Sequence, residues 1–233
     1  IVGGGPVGSA LALALRDSGL RIVLLEARAA GAGDARPLAL SYGSRLILER
    51  LGVWAALAPT ATPIRTIHVS QRGGFGRVSL AAAEAGFPEL GYVVDYGSLA
   101  QMLAQAVAAT ALQCRTGARV SAWHGGDPAR VDYEWSGEPH TLDAALVAVA
   151  DGGAADNAPG IETVDYHQCA VTAHVVSEHP HNNIAYERFT PQGPLALLPD
   201  GNGWALVWTT TPERAAQLCA ADPATFLLEL RGE

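Results

Sequence analysis

The chain has 233 residues, 49% of them hydrophobic and 16% charged, a balance that builds a sizeable core and excludes a disordered polypeptide. All 15 of its cations are Arg, set against 23 acids, and the net charge of −8 argues against a nucleic-acid-binding surface. No run approaches the roughly 20 apolar residues of a membrane-spanning helix. The three cysteines lack the CxxC spacing of a zinc site and are expected to be reduced and mostly buried.

In chain order, Ile1-Val2 reads as the end of a buried strand, followed by a helix that opens at Pro6 and stops near Gly19. Residues 21–26 form a continuous apolar run of the kind buried in a parallel sheet. Residues 29–40 read as a loop and Ser44 to Leu51 as a short helix. Two alternating segments, 66–70 and 76–80, then flank a Gly-Gly turn. Residues 97–112 read as a helix. A meander of three strands comes next at 119–123, 130–135 and 141–150, ending in Asp151-Gly152. Further strands are expected at about 168–177, 183–189, 194–198 and 203–209, with a hairpin turn at Asp200-Gly201-Asn202-Gly203. Residues 212–231 read as helical. The order suggests two domains interleaved in sequence.

The chemistry sits in Gly3-x-Gly5-x-x-Gly8, between a strand and a helix. Gly3 permits the tight turn, Gly5 lets the backbone approach a pyrophosphate, and Gly8 allows close packing of helix on strand. The pyrophosphate meets free N–H groups and the positive end of the helix dipole. Glu26, at the end of the second strand, suits a ribose hydroxyl. The motif fits FAD or NAD alike. The stretch after Glu26, a loop, a short helix and an inserted β region, favours an FAD-binding fold over a simple NAD dehydrogenase.

Several segments together resemble the aromatic-ring flavoprotein monooxygenases of the p-hydroxybenzoate hydroxylase type, in their ubiquinone-biosynthesis branch. They are Gly3 to Gly8 with Glu26, residues 34–44, Gly91 to Val94, Val149 to Gly152, and above all Ala185 to Pro199 followed by Gly203 to Trp208. The resemblance implies an α/β fold, in which a Rossmann-like FAD-binding domain (1–64 and 92–157) interleaves with an antiparallel substrate sheet (65–91 and 158–211), with 212–233 opening a helical connection. It implies FAD as cofactor, NADH or NADPH as reductant, and O2-dependent hydroxylation of a polyprenylated phenol of the 2-polyprenyl-6-methoxyphenol type. A related hydroxylase of a small aromatic, or a plain NAD-binding dehydrogenase, are the alternatives. Gly3, Gly5, Pro6, Gly8 and Glu26 match the first FAD motif, Arg36 an arginine approaching the flavin, and Asp151-Gly152 the Asp-Gly motif. The Ser and Arg that follow Asp-Gly in the family are replaced by Ala155 and Ala158. No catalytic side chain is assigned.

The chain reads as an internal piece, with a third flavin motif expected beyond Glu233, so residues 1–233 alone are expected to bind FAD poorly. The resemblance further implies a cytoplasmic enzyme, peripheral on the inner face of the membrane, in contact with other ubiquinone-biosynthesis proteins. His179-Pro180-His181 reads as a solvated loop rather than a metal site, and no metal is expected. Trp204 and Trp208 should share one sheet face as core packing. Tyr186, Arg188 and Phe189 are candidates for the substrate side.

Overall fold

The computed structural model describes residues 1–28, 36–153 and 162–233. In chain order the elements are α1 (Pro6–Leu15), β1 (Val23–Glu26), β2 (Pro37–Ser41), α2 (Tyr42–Arg50), α3 (Trp54–Leu57), β3 (Thr62–Ile64), β4 (Thr66–Gln71), β5 (Arg77–Ala81), β6 (Gly91–Asp95) and α4 (Tyr96–Ala108). They continue with β7 (Gln113–Thr116), β8 (Arg119–His124), β9 (Ala129–Trp135), β10 (Glu138–Ala144), β11 (Cys169–Val175), β12 (Ile184–Thr190), β13 (Gly193–Asp200), β14 (Gly203–Thr210), α5 (Pro212–Ala220) and α6 (Pro223–Arg231).

Two compact units interleave. The first comprises Ile1–Ala35, Ile47–Ala58 and Tyr96–Thr163, and the second Arg36–Leu46, Pro59–Asp95 and Val164–Glu233. These boundaries differ from the expected ones. Residues 36–46, 59–64 and 92–95 fall in the second unit, because β2 and β3 both pair antiparallel with β6. The helices at 212–231 also join the second unit, where they cover its sheet.

In the first unit β1 pairs parallel with β7, and Val2 bridges Leu25 on one side and Val149 on the other, both in parallel. This parallel core is the frame of a nucleotide-binding sheet. The β10-β9-β8 meander packs Val131 and Tyr133 against Val2, Leu25 and Ala118. The expected third meander strand divides. Its ladder with β9 ends at Ala144, and residues 147–150 leave to reach Val2. A two-residue turn at Ser136-Gly137, both at positive φ, closes β9 onto β10.

In the second unit six strands run in the order β11-β14-β13-β12-β4-β5, with β4 and β12 parallel and the other pairs antiparallel. The Gly201-Asn202 turn joins β13 to β14 as expected. On one face Val171, Leu195, Leu206 and Trp208 pack against Ala215 and Leu218 of α5 and Phe226 of α6. On the other, Ala185 packs against Ile64 and Val93. The helical stretch 212–231 is two helices rather than one. Asp222 caps α6 by accepting the N–H groups of Ala224 and Thr225, with Pro223 at the first helical position. The three cysteines are exposed, contrary to expectation.

Candidate functional site

The glycine turn in the first unit is built by crowding. Gly3 has φ +96°, and a Cβ there would lie 2.3 Å from the Ala150 carbonyl oxygen and 2.8 Å from Asp151 Cα. A Cβ at Gly8 would lie 1.9 Å from the Gly3 carbonyl oxygen. These two glycines are therefore required by the protein's own backbone. Gly5 differs. It adopts φ −65° and ψ −176°, open to any residue, and among the described residues a Cβ there would meet nothing nearer than Arg28 Nη2 at 3.7 Å and Tyr96 Oη at 3.8 Å. Among the described residues no atom enforces glycine at this position. The space in front of it is a cradle that a side chain would fill and a pyrophosphate could occupy.

The surroundings suit an anion and a ribose. Gly5 is the N-cap of α1 and Pro6 occupies its first turn. Among the described residues no side chain caps this end and no acid stands in the first turn. The amides there stay available, with the positive end of the helix dipole behind them. The buried Ser9 hydroxyl fixes the turn from below by donating to the Gly4 carbonyl at 2.8 Å. Glu26 Oε2 accepts the Gly4 N–H at 2.6 Å, while Oε1 accepts the Arg28 N–H at 2.8 Å and Arg28 Nε at 3.1 Å. Burial alone raises the Glu26 carboxyl, but the Arg28 donors and the Gly4 N–H outweigh it and hold the pKa below its ordinary value.

A carboxyl whose folded pKa is depressed contributes stability that is present above its unfolded pKa and lost as pH falls through the folded value. Glu26→Gln should therefore flatten the acid limb of the melting temperature plotted against pH. Circular dichroism melts from neutrality down through the carboxylate range check this, and parallel acid limbs for the two proteins would contradict it.

Arg28 and Tyr96 were not legible as site residues. Arg28 stands just past β1 and Tyr96 opens α4; the hydrogen bond to Glu26 first, and one between the Arg28 and Tyr96 side chains second, raise the Arg28 guanidinium pKa. Together they flank the open side of Gly5. Asp151 lies against Gly3, its Oδ1 accepting the Gly153 N–H at 3.1 Å, with Gly152 and Gly153 both at positive φ. Gly3, Gly5, Pro6, Gly8, Glu26, Asp151 and Gly152 thus come together within the first unit, whereas Arg36 belongs to the second, exposed just ahead of β2. Ala155 and Ala158 lie outside the described residues, as do residues 29–35 of the expected loop.

In the second unit Tyr186 and Arg188 share one sheet face and Phe189 takes the other. Trp208 is buried against Phe226, and Trp204 donates to the Ser177 hydroxyl at 2.9 Å beside the Tyr186 ring. His181 accepts the Asn183 N–H at Nδ1, which leaves Nε2–H to donate to the Gly201 carbonyl at 2.9 Å. Both of its nitrogens are thereby satisfied. Among the described residues no group of three His, Cys, Asp or Glu is placed to hold a metal.

A family model described as FAD binding domain matches residues 1–217. Over 99% of its length the chain is 35% identical to a ubiquinone hydroxylase of Rhodospirillum rubrum, spanning 56% of that protein. It is 34% identical to a 3-demethoxyubiquinol 3-hydroxylase of Escherichia coli, again over 99% of the chain and 61% of the relative. The chain thus spans little more than half the length of these curated relatives. The fold is shared with p-nitrophenol 4-monooxygenase of Pseudomonas putida, at a TM-score of 0.74 and 17% identity, covering 98% of this chain and 60% of that one. It is shared also with the flavin-dependent halogenase CmlS, at a TM-score of 0.79 and 16% identity, over 99% of this chain and 44% of that one. The crowded glycine turn, the open cradle at Gly5 and the family match over residues 1–217 agree: the chain belongs to the FAD-binding domain family.

Proposed function

We propose that the protein to which this chain belongs is an FAD-dependent monooxygenase that hydroxylates a polyprenylated phenol in ubiquinone biosynthesis, using NADH or NADPH and O2. The observation that carries the reading is the space at Gly5, where among the described residues no atom demands glycine, beside a carboxylate whose pKa Arg28 and Gly4 hold below its ordinary value. The names of the relatives from Rhodospirillum rubrum and Escherichia coli direct it to the ubiquinone pathway.

In this reading the α1 amides at Gly5 and beyond bind the pyrophosphate, and Glu26 accepts a ribose hydroxyl. Pro6 presets the first turn of α1 without presenting an N–H. Asp151 and Gly152 border the turn from the 147–150 segment, and Arg36 is proposed as a flavin-side cation on the family resemblance alone, its fixed, forked guanidinium suiting a pyrophosphate. Arg28 and Tyr96 form the remaining wall. FAD, once bound and reduced by the nicotinamide cofactor, supplies the activation of oxygen, and the protein's part is to bind, orient and exclude water. No side chain is assigned a proton-transfer role.

Arg28→Ala removes both the charge beside Gly5 and the side-chain donation to Glu26, leaving the Gly4 and residue-28 backbone N–H groups in place. FAD affinity in the full-length protein should fall about tenfold, the effect of one hydrogen bond to a charged group. Quenching of flavin fluorescence on titration measures it, and an unchanged dissociation constant would remove Arg28 from the site.

The activity is tested by incubating purified full-length protein with NAD(P)H, labelled O2 and a prenylated phenol. Phenol-stimulated NAD(P)H oxidation and one labelled oxygen atom in the product support the proposal. Product formed only from small, non-prenylated phenols replaces the substrate assignment, and absence of any oxygenated product overturns it. No described helix is long and apolar enough to cross a membrane. From the chemistry of a prenylated substrate, contact with it is proposed to occur by peripheral association of a cytoplasmic protein with the inner face of the membrane, in company with other ubiquinone-biosynthesis proteins.

A further inference from the structure

The β4–β5 hairpin lies at the edge of the six-stranded sheet, and its last paired rung is Ser70 with Arg77. Between them the chain runs Gln71-Arg72-Gly73-Gly74-Phe75-Gly76. Phe75, at the tip, is fully exposed, the most exposed large hydrophobic side chain among the described residues. Val78 and Leu80 of β5 and Phe189 of β12 are each about half-exposed, and the register puts all three on one face. Arg77 and Arg188 occupy the opposite face on either side of Ser70. There they line a cleft of about 500 Å³ together with His68, Ser70 and Tyr186.

The charge here runs against the rest of the chain. Residues 61–83 carry Arg65, Arg72 and Arg77 and no acid, in a protein of net charge −8. Arg72 pairs with Glu233, while Arg77 and Arg188 make no ion pair among the described residues. An exposed aromatic tip and an apolar edge, backed by cations, have the composition of an interfacial anchor.

We propose that the β4–β5 hairpin is a membrane-docking element that inserts Phe75 into the interface of an anionic bilayer while Arg77 and Arg188 meet lipid phosphates. A bilayer suits this shape better than the other occupants do. A convex, glycine-flanked tip needs no preformed pocket in a fluid interface, whereas a folded partner must supply one. A second copy paired along the edge strand β5 offers these cations no acid from the same stretch, since residues 61–83 hold none. The phosphate surface instead complements them. The inference deepens the peripheral contact proposed above, but it does not depend on the hydroxylation chemistry.

The test is co-sedimentation of full-length, flavin-loaded protein with vesicles of phosphatidylcholine plus phosphatidylglycerol, and with phosphatidylcholine alone. Wild type should prefer the anionic vesicles, and added salt should weaken binding. Phe75→Ser should reduce binding about tenfold, and Arg77→Gln about fivefold, the contribution expected of one cation near an anionic surface. Flavin content, melting temperature and turnover of a soluble short-chain phenol should stay unchanged in both variants. Failure of wild type to bind anionic vesicles overturns the proposal, as does full binding by Phe75→Ser. A change of oligomeric state in Phe75→Ser with vesicle binding intact overturns it in favour of self-association. None of these outcomes alters the flavin content on which the hydroxylase reading stands, so the two fail separately.

Discussion

Gly8→Ala should destabilise the protein by about 3 kcal/mol or more, the scale of a substitution that forces backbone to move in a packed structure. Two effects oppose each other. Alanine in a helix gains about 1 kcal/mol of propensity over glycine. Against that, the new Cβ would stand 1.9 Å from the Gly3 carbonyl oxygen, a backbone atom with no rotamer to escape into. Gly3 itself is held by its N–H, which donates to the Leu25 carbonyl at 2.8 Å, so the clash passes into the parallel core. The clash wins. The melting temperature should fall by roughly 6–12 °C, on the usual scaling for a chain of this size. Thermal unfolding followed by circular dichroism measures it, and a variant as stable as wild type would refute the crowding argument.

Gly5→Ala should do the reverse: it should keep the fold and lose the flavin. The backbone at Gly5 already lies where alanine can go, and among the described residues the nearest atom to the new Cβ is 3.7 Å away. The stability cost is that of a poorer N-cap, about 1 kcal/mol or less. The same Cβ intrudes on the path of a pyrophosphate against the α1 amides. Overpacking of that kind costs about 1–3 kcal/mol, a loss of roughly 5- to 150-fold in affinity. The two glycines of one motif thus carry opposite signatures, one in stability and one in binding. Flavin titrations and melts on the same two preparations separate them.

The sequence was legible where local rules and tertiary need coincide. Gly3 and Gly8 could be placed because the turn demands them, and the strand at 21–26 because an apolar run fits a sheet buried on both faces. The Asp200–Gly203 turn could be read from its residues alone. β2 and β7 were missed for a physical reason. Pro37 opens β2 next to an Ala- and Gly-rich stretch, and Gln113-Cys114-Arg115-Thr116 carries no apolar pattern, because β7 is mostly exposed and held by backbone pairing to β1. The break between α5 and α6 was signalled by Asp222-Pro223, an N-cap followed by Pro at the first helical position, and was overridden by the apolar run after it.

The site was legible in half. Its floor is sequence-local, because Gly3, Gly5, Gly8 and Glu26 sit within one strand–helix–strand unit. Its wall is not. Arg28 and Tyr96 lie far apart in the chain and meet only because α4 packs beside α1, a juxtaposition that no local pattern encodes. The exposed cysteines show the limit of a residue-type average, since two of the three stand on strands with open faces.

The flavin content of the full-length protein, read from its visible absorption spectrum with the released cofactor identified by chromatography, tests the central claim most directly. Wild type should carry stoichiometric FAD, and Gly5→Ala should be markedly depleted of it yet equally well folded. A colourless wild-type protein that carries NAD, or a Gly5→Ala variant that keeps its full complement of FAD, would contradict the assignment of the Gly5 cradle to a flavin pyrophosphate.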